Sequence, residues 1–400
     1  MSDTTPEADA ASTAEFAERV FGSVLGAIEL LSIHLGDRLG WYRALADAGP
    51  LSAAELAERT GTVERYAREW LEQQAVSGIL TVEAPDAAAD HRFALPAAHA
   101  EVLTDTSSLD YMAPVARMIT AAAMQAGSLV DAYRHGGGVP WEQLGPDARE
   151  SQADVNRPWF DRRLGEALAA VESLHAVLAR PDARIADVGC GHGWSTLALA
   201  RAYPTARVVG IDVDESSIVA ARANADAAGL ADRVEFRLSG GEELSEPGSF
   251  DAAFVFEALH DMPRPVEVLD AIRRAVRADG AVVIMDEAVA PEFAADGDDV
   301  ERLMYGYSIL ICLPDSLSTP GSVGTGTVMR QSTLERYARE AGFSSIEELP
   351  IEGFALFRFT RLVHCPRVDA SAAPLRRRPR PHEWRDRRTD GARARSSRPE

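Results

Sequence analysis

Apolar residues return every three or four positions between residues 15 and 46 (Phe16, Val20, Val24, Ile28, Leu31, Leu35), a spacing that predicts one long amphipathic helix. Ser52 followed by Glu55 forms a capping box that opens a short second helix, and Gly61 breaks it. A third helix is predicted over 63–77, with Tyr66, Trp70, Leu71 and Val76 on one face. The pattern then shortens to strands at 78–83 and 91–95, joined by a turn at 85–90. Helices followed by such a hairpin predict a winged helix-turn-helix. Residues 97–180 keep helical spacing, broken at Gly136-Gly-Gly-Val-Pro140.

From residue 183 strand and helix periods alternate. Strands are predicted at 184–188, 206–212, 233–238, 250–256 and 281–286, and an antiparallel pair over 345–352 and 354–362 closes the series. Alternation of this kind predicts an α/β fold with a mostly parallel, Rossmann-like sheet covered on both faces. The expected organisation is an unstructured 1–14, a winged-helix dimerisation domain over 15–100, a helical linker and lid over 101–180, a ligand-binding α/β domain over 181–365 and a disordered Arg-rich tail over 366–400.

A chain 46% apolar and 26% charged has the composition of a soluble globular protein. It lacks an uncharged apolar run of about 18 residues, so no membrane span is expected, and the start does not resemble a signal peptide. The cysteines Cys190, Cys312 and Cys365 show no metal-ligand spacing, which predicts no metal and a reducing, cytoplasmic setting. Net charge is −21 although residues 366–400 hold eleven Arg against five acids, so the body is more acidic still and a poor partner for nucleic acid. All 41 basic residues are Arg. Without Lys there is no P-loop lysine, no Schiff-base lysine and no kinase lysine.

The first strand of the second half runs into Asp187-Val-Gly-Cys-Gly-His-Gly193. A dinucleotide turn needs a further Gly where Trp194 stands. A nucleophile elbow around Ser195 needs a Gly where Leu197 stands. What remains, an acid followed by Gly189, Gly191 and Gly193 with Cys190 between, resembles the first motif of class I S-adenosylmethionine (SAM) methyltransferases. Small residues let backbone approach a ligand without phosphates, and Asp187 suits its ammonium group. Asp212, about 20 residues past the turn, is placed to accept from the ribose hydroxyls, with Val213 packing on adenine. Gly240 and Gly241 lie in the adenine loop and Phe256 ends the fourth strand. Gly240 departs from the family, which commonly has Asp there; Ser239, Glu242 or backbone would substitute.

Leu259-His260-Asp261 is similar to the His-Asp pair of small-molecule O-methyltransferases, where the His removes a hydroxyl proton. Histidine, with pKa near 6.5, is an apt base at neutral pH, and Asp286 or Glu287 would orient it. A second reading leaves His260 only shaping the SAM pocket, and His192 is expected to face solvent or ligand. The Asn/Asp-Pro-Pro-aromatic turn of amide and nucleobase methyltransferases is missing. A winged helix ahead of a SAM domain, with Arg65-Tyr-Ala-Arg-Glu-Trp-Leu71 and Phe93-Ala-Leu-Pro-Ala-Ala-His-Ala100, looks like a bacterial branch of these enzymes over roughly 15–365. The resemblance implies SAM as cofactor, a small-molecule acceptor and a homodimer formed through the N-terminal domain. Trp159, Met304, Tyr305, Tyr307 and Ser308 are candidate pocket residues, each equally readable as core. Two alternatives stand beside this one: N-, S- or C-methylation of a metabolite, and a SAM-sensing DNA-binding regulator. Against the latter, the recognition-helix candidate Glu64–Glu72 has three acids and two Arg.

Overall fold

Gly40 divides the first predicted helix. The computed structural model describes residues 6–83, 91–354 and 356–364. In it the amphipathic segment is α1 (Pro6–Arg38) and α2 (Trp41–Ala48), with Gly40 at φ 70° between them. The helix starts at Pro6, inside the stretch expected to lack structure. Phe16, Val20, Val24, Ile28, Leu31 and Leu35 are all exposed, so this stripe faces away from the core. By length and composition alone, Ser12–Arg38 is long and apolar enough to cross a membrane, although it is not an uncharged run.

Both hydrogen bonds of the capping box form at α3 (Ala53–Thr60), and Gly61 ends it in the left-handed region. Helix α4 (Glu64–Val76) buries Ala67, Trp70, Leu71 and Gln74. Tyr66 and Val76 are exposed, contrary to expectation, because they fall beside that stripe of the 3.6-residue period. Trp70 packs on Trp41 and Tyr42 and donates from Nε1 to the Ser32 carbonyl at 2.9 Å, which pins α1 to α4. Strands β1 (Thr81–Glu83) and β2 (Arg92–Ala94) pair antiparallel; the predicted turn at 85–90 lies outside the described residues. Helices α5 (Ala97–Thr104), α6 (Ala113–Met124), α7 (Ala126–His135), α8 (Trp141–Trp159), α9 (Gly165–Ala170) and α10 (Glu172–Leu178) follow. Gly145, at φ 79°, kinks α8 just ahead of Pro146.

Seven strands form the main sheet: β3 (Arg184–Val188), β4 (Arg207–Asp212), β5 (Val234–Leu238), β6 (Phe250–Phe256), β7 (Val276–Glu287), β8 (Phe343–Glu348) and β9 (Phe357–His364). Their order is β5-β4-β3-β6-β7-β9-β8, parallel except for β9. In this sheet the predicted strands agree to within two residues from β3 through β6, whereas β7 starts at Val276, five residues before the predicted 281, β8 ends four residues before the predicted 352 and β9 starts three after the predicted 354. One sheet face packs Leu174, Leu197, Ile218 and Phe254. The other packs Leu269, Ile272 and Leu334. Fully burying one such side chain stabilises by roughly 1.5–3 kcal/mol. The covering helices are α11 (Trp194–Ala202), α12 (Glu215–Ala228), α13 (Pro265–Ala275) and α16 (Gln331–Glu340). Between β7 and α16 lie α14 (Asp299–Tyr307), a π-helical turn at Ser308–Cys312 and α15 (Leu313–Ser318).

All described residues lie in one compact unit, Met1–Cys365. Cys365 itself and the Arg-rich tail fall outside them. Because β3 sits between β4 and β6, the carboxyl ends of β3, β4, β6 and β7 converge at the switch point of the sheet, where open α/β folds bind ligands.

Candidate active site

Gly189 and Gly193 take φ near 80° and Gly191 takes φ 50°. A Cβ on Gly189 would press on Ala258 at 2.6 Å, and one on Gly193 on the Phe236 ring at 2.7 Å. These two positions are therefore set by close packing. Gly191 faces open space, and its N–H donates to Asp212 Oδ2 at 2.8 Å. Asp212 Oδ1 accepts from the Asp214 N–H at 2.9 Å, so one carboxylate ties the turn to the loop after β4.

Asp187 is fully buried. Its Oδ2 accepts from the hydroxyls of Ser195 and Thr196, both at 2.6 Å, while Oδ1 is buried with no hydrogen-bond partner. Burial pushes its pKa up to about 6 against the pull of those two hydroxyls. An unpartnered carboxylate oxygen, an open glycine and a tethering Asp212 suit a nucleoside with a cationic tail, and SAM fits this set of donors and acceptors. Cys190 is buried against Gly210, His192 is half-buried and Val213 is exposed. The Glu242 carboxylate lies against Gly240, in the room a longer side chain would take, and pairs with Arg264 at 3.0 Å. Gly241 is buried against Val188 and Val268. Phe256 belongs to the core, stacked on Phe254 at 5.2 Å and edge-on to Phe160 at 5.5 Å, so packing alone accounts for its ring.

His260, 2% exposed, stands at the centre of the second half of the site. Its Nδ1 lies 2.7 Å from Asp286 Oδ1 and 3.2 Å from Glu287 Oε2, and Nε2 lies 3.4 Å from Asp261 Oδ1. The short contact puts the ring proton on Nδ1 and leaves Nε2 as the basic atom. Burial alone would lower the imidazole pKa, but the charges of Asp261, Asp286 and Glu287 raise it well above its ordinary value. Burial also pushes Glu287 far up, whereas the His260 charge and its hydrogen bonds hold Asp286 below the usual range. The acid paired most closely with the imidazole is thus Asp286, with Glu287 Oε2 beside it at 3.2 Å. The Gly326 N–H donates to the His260 carbonyl at 3.1 Å and fixes the loop.

Three participants carry no motif. Glu257, at φ 50°, follows β6 and accepts from Asn156 Nδ2 of α8 at 2.5 Å. Burial pushes its pKa up to about 7. Non-glycine residues rarely take positive φ, and such strain persists where surrounding structure enforces it. Arg149, also on α8, makes a bidentate pair with Asp214, and Arg157 lies 3.9 Å over the Trp194 ring. No local pattern announces contacts between residues 37 to 101 positions apart.

The pocket candidates do not gather in one place. Tyr307 has its hydroxyl pKa raised by burial and by the nearby Glu257 and Cys312. Ser308 is buried against Gly326. Tyr305 accepts from Arg330 at 3.1 Å, and Met304 is core. Trp159 packs on Phe354 at 5.6 Å, at the edge of the core on one face of the sheet.

Residues 179–328 match the family described as a methyltransferase domain, and 26–105 match the Rv2258c-like winged HTH domain. The chain is 31% identical to 24-methylenesterol C-methyltransferase 2 of Oryza sativa subsp. japonica over 43% of its own length and 44% of the relative's. It is 30% identical to the ubiquinone biosynthesis O-methyltransferase of Pseudomonas aeruginosa (strain UCBPP-PA14), over 46% of this chain and 68% of that one. The chain thus spans about half the length of the first two curated relatives. Among solved structures, human N-acetylserotonin methyltransferase in complex with SAM aligns over 91% of this chain and 99% of its own, with TM-score 0.65 and 16% identity.

Proposed function

Because the chain belongs to the class I SAM-dependent methyltransferases that carry an N-terminal winged helix, we propose that it methylates a hydroxyl of a small-molecule acceptor. SAM supplies an electrophilic sulfonium methyl. The chain's residues do the rest. Asp187, Gly191 and Asp212 hold the cofactor, and His260 in its neutral form takes the proton at Nε2 from the acceptor hydroxyl as it attacks. Asp286 steadies the imidazolium that results, at 2.7 Å from Nδ1. That contact is the observation on which the reading rests, since it is the base–orienter arrangement of proton-abstracting sites. Tyr307 and Glu257 flank the acceptor.

The division at residues 100, 180 and 365, the cytoplasmic setting and a homodimer joined through the exposed stripe of α1 belong to the same reading. Methylation at nitrogen, sulfur or carbon is the second reading within it, and the sterol C-methyltransferase relative is what favours keeping it. Calorimetric titration with SAM and S-adenosylhomocysteine tests the cofactor: micromolar binding that Asp212→Ala abolishes supports it, and no binding to the wild type sinks it. Methyl uptake by hydroxylated metabolites, compared with their amine and thiol counterparts, then decides the acceptor atom.

A further inference from the structure

His260 is ringed by more ligand-type atoms than a base requires. On its Nε2 side, one donor atom each from His260, Asp261 and Cys312 lie within 4.8 Å of one another. The three come from two segments: His260 and Asp261 from the loop after β6, and Cys312 from the end of the π-helical turn that follows α14. His260 and Cys312 are buried. Around the ring, Asp261 Oδ1, Asp286 Oδ2 and Glu287 Oε2 are buried without a hydrogen-bond partner. Orphaned oxygens of this kind are costly unless a cation or a proton meets them.

The donor set is selective. An imidazole nitrogen, one carboxylate and one thiolate are borderline-soft ligands that suit Zn²⁺ or Co²⁺ over Mg²⁺ or Ca²⁺. Three protein ligands leave a fourth tetrahedral position open. The outer shell is also present. Metal-bound histidines donate their other ring N–H to a carboxylate, and here Nδ1 meets Asp286 Oδ1 at 2.7 Å. Cys312 has no other assignment in the site: it is a free thiol, buried beside Asp261.

We propose that His260 Nε2, Asp261 and Cys312 form a binding site for a thiophilic divalent cation such as Zn²⁺, and that the bound ion switches methyl transfer off. Binding takes the Nε2 lone pair and releases to solvent the thiol proton and any proton that Nε2 carries. The base and the metal ligand are then the same atom, so the two states exclude each other. The ion site itself stands on geometry alone, and only the inhibitory consequence rests on His260 acting as base.

Co²⁺ added to the metal-free full chain at mildly alkaline pH tests the site without any turnover. One equivalent should bring tetrahedral d–d absorption together with a thiolate-to-cobalt charge-transfer band. In a Cys190→Ser, Cys365→Ser background, which leaves Cys312 as the one thiol of the chain, the band should persist. Adding Cys312→Ser should remove it, and Asp261→Asn should weaken Co²⁺ binding with the band retained. Absence of the band from the wild type overturns the proposal, whatever the variants do, and so does a band that survives Cys312→Ser. Stoichiometric Zn²⁺ should then abolish methyl transfer, with recovery on chelation. Full activity of the Zn²⁺-loaded chain would overturn the switch while leaving the site.

Discussion

Arg149 clasps Asp214 with two parallel hydrogen bonds, Nε to Oδ2 at 2.9 Å and Nη2 to Oδ1 at 3.0 Å, and the Asp214 N–H in turn donates to Asp212. Helix α8 is thereby fastened to the loop expected to hold the ribose. Both side chains are mostly buried, at 11% and 15% exposure, so solvent screens the pair less than a surface ion pair. Hydrogen bonds to charged groups contribute about 1.5–3 kcal/mol. Arg149→Met should therefore weaken SAM binding about tenfold, with kcat at saturating SAM little changed. Calorimetric Kd values alongside steady-state rates check this, and an unaltered Kd would show that the clasp is only structural.

His260→Gln keeps a polar side chain of similar volume but cannot accept a proton at the acceptor. Methyl transfer to a hydroxyl should fall by roughly 10²-fold or more, while a neutral amine or a thiolate should lose little. Asp286→Asn should also slow the hydroxyl reaction, because it removes the carboxylate that steadies the imidazolium at 2.7 Å. Single-turnover rates at saturating SAM separate these losses from binding. Equal losses for hydroxyl and thiolate acceptors would count against His260 as base.

On the proposed reading, Asp187 couples stability to cofactor binding. Its folded pKa is raised to about 6 by burial, above the ordinary 3.8, so the folded chain holds on to a proton that the unfolded chain releases. Stability from this group is present below about 3.8 and is lost as pH rises through about 6. At about 1.4 kcal/mol per unit, ionisation costs the ligand-free fold on the order of 3 kcal/mol. Asp187→Asn keeps an oxygen for Ser195 and Thr196 without the charge. The ligand-free variant should be more stable than the wild type at neutral pH, lose that advantage near pH 4, and gain nothing on addition of SAM. Denaturant melts at the two pH values, with and without SAM, measure all three.

How much of this was legible in the sequence follows from the range of each signal. The edges of β3 and β4, the capping box at Ser52 and the glycine turn are local patterns, and they reappear in place. The Gly40 break in the first helix was not legible, since Gly22, Gly26 and Gly36 stand in the same stretch and remain inside α1. Burial was harder. Periodicity shows that α1 has an apolar stripe but not which partner covers it. The choice between Asp286 and Glu287 as orienter depends on a difference of half an ångström at Nδ1, which adjacent residues on one strand cannot reveal. Glu257, Asn156, Arg149 and Cys312 are joined to the site by pairings 52 to 101 positions long, and nothing in their immediate neighbours marks them.

The stripe on α1 is large for a surface to be left to water: Phe16, Val20, Phe21, Val24, Leu25, Ile28, Leu31 and Leu35 are all at least 43% exposed. Contiguous apolar surface of this kind marks an interaction site. Under the homodimer reading it meets the same stripe on a second copy, so a charge at its centre is buried twice, without a partner, by two-fold symmetry. Ile28→Glu should therefore convert a species of twice 43.1 kDa into a monomer in light scattering, with the circular dichroism of the winged-helix region retained. A wild type that is monomeric and instead floats with phospholipid vesicles would assign the stripe to a membrane surface, as the apolar length of Ser12–Arg38 also permits.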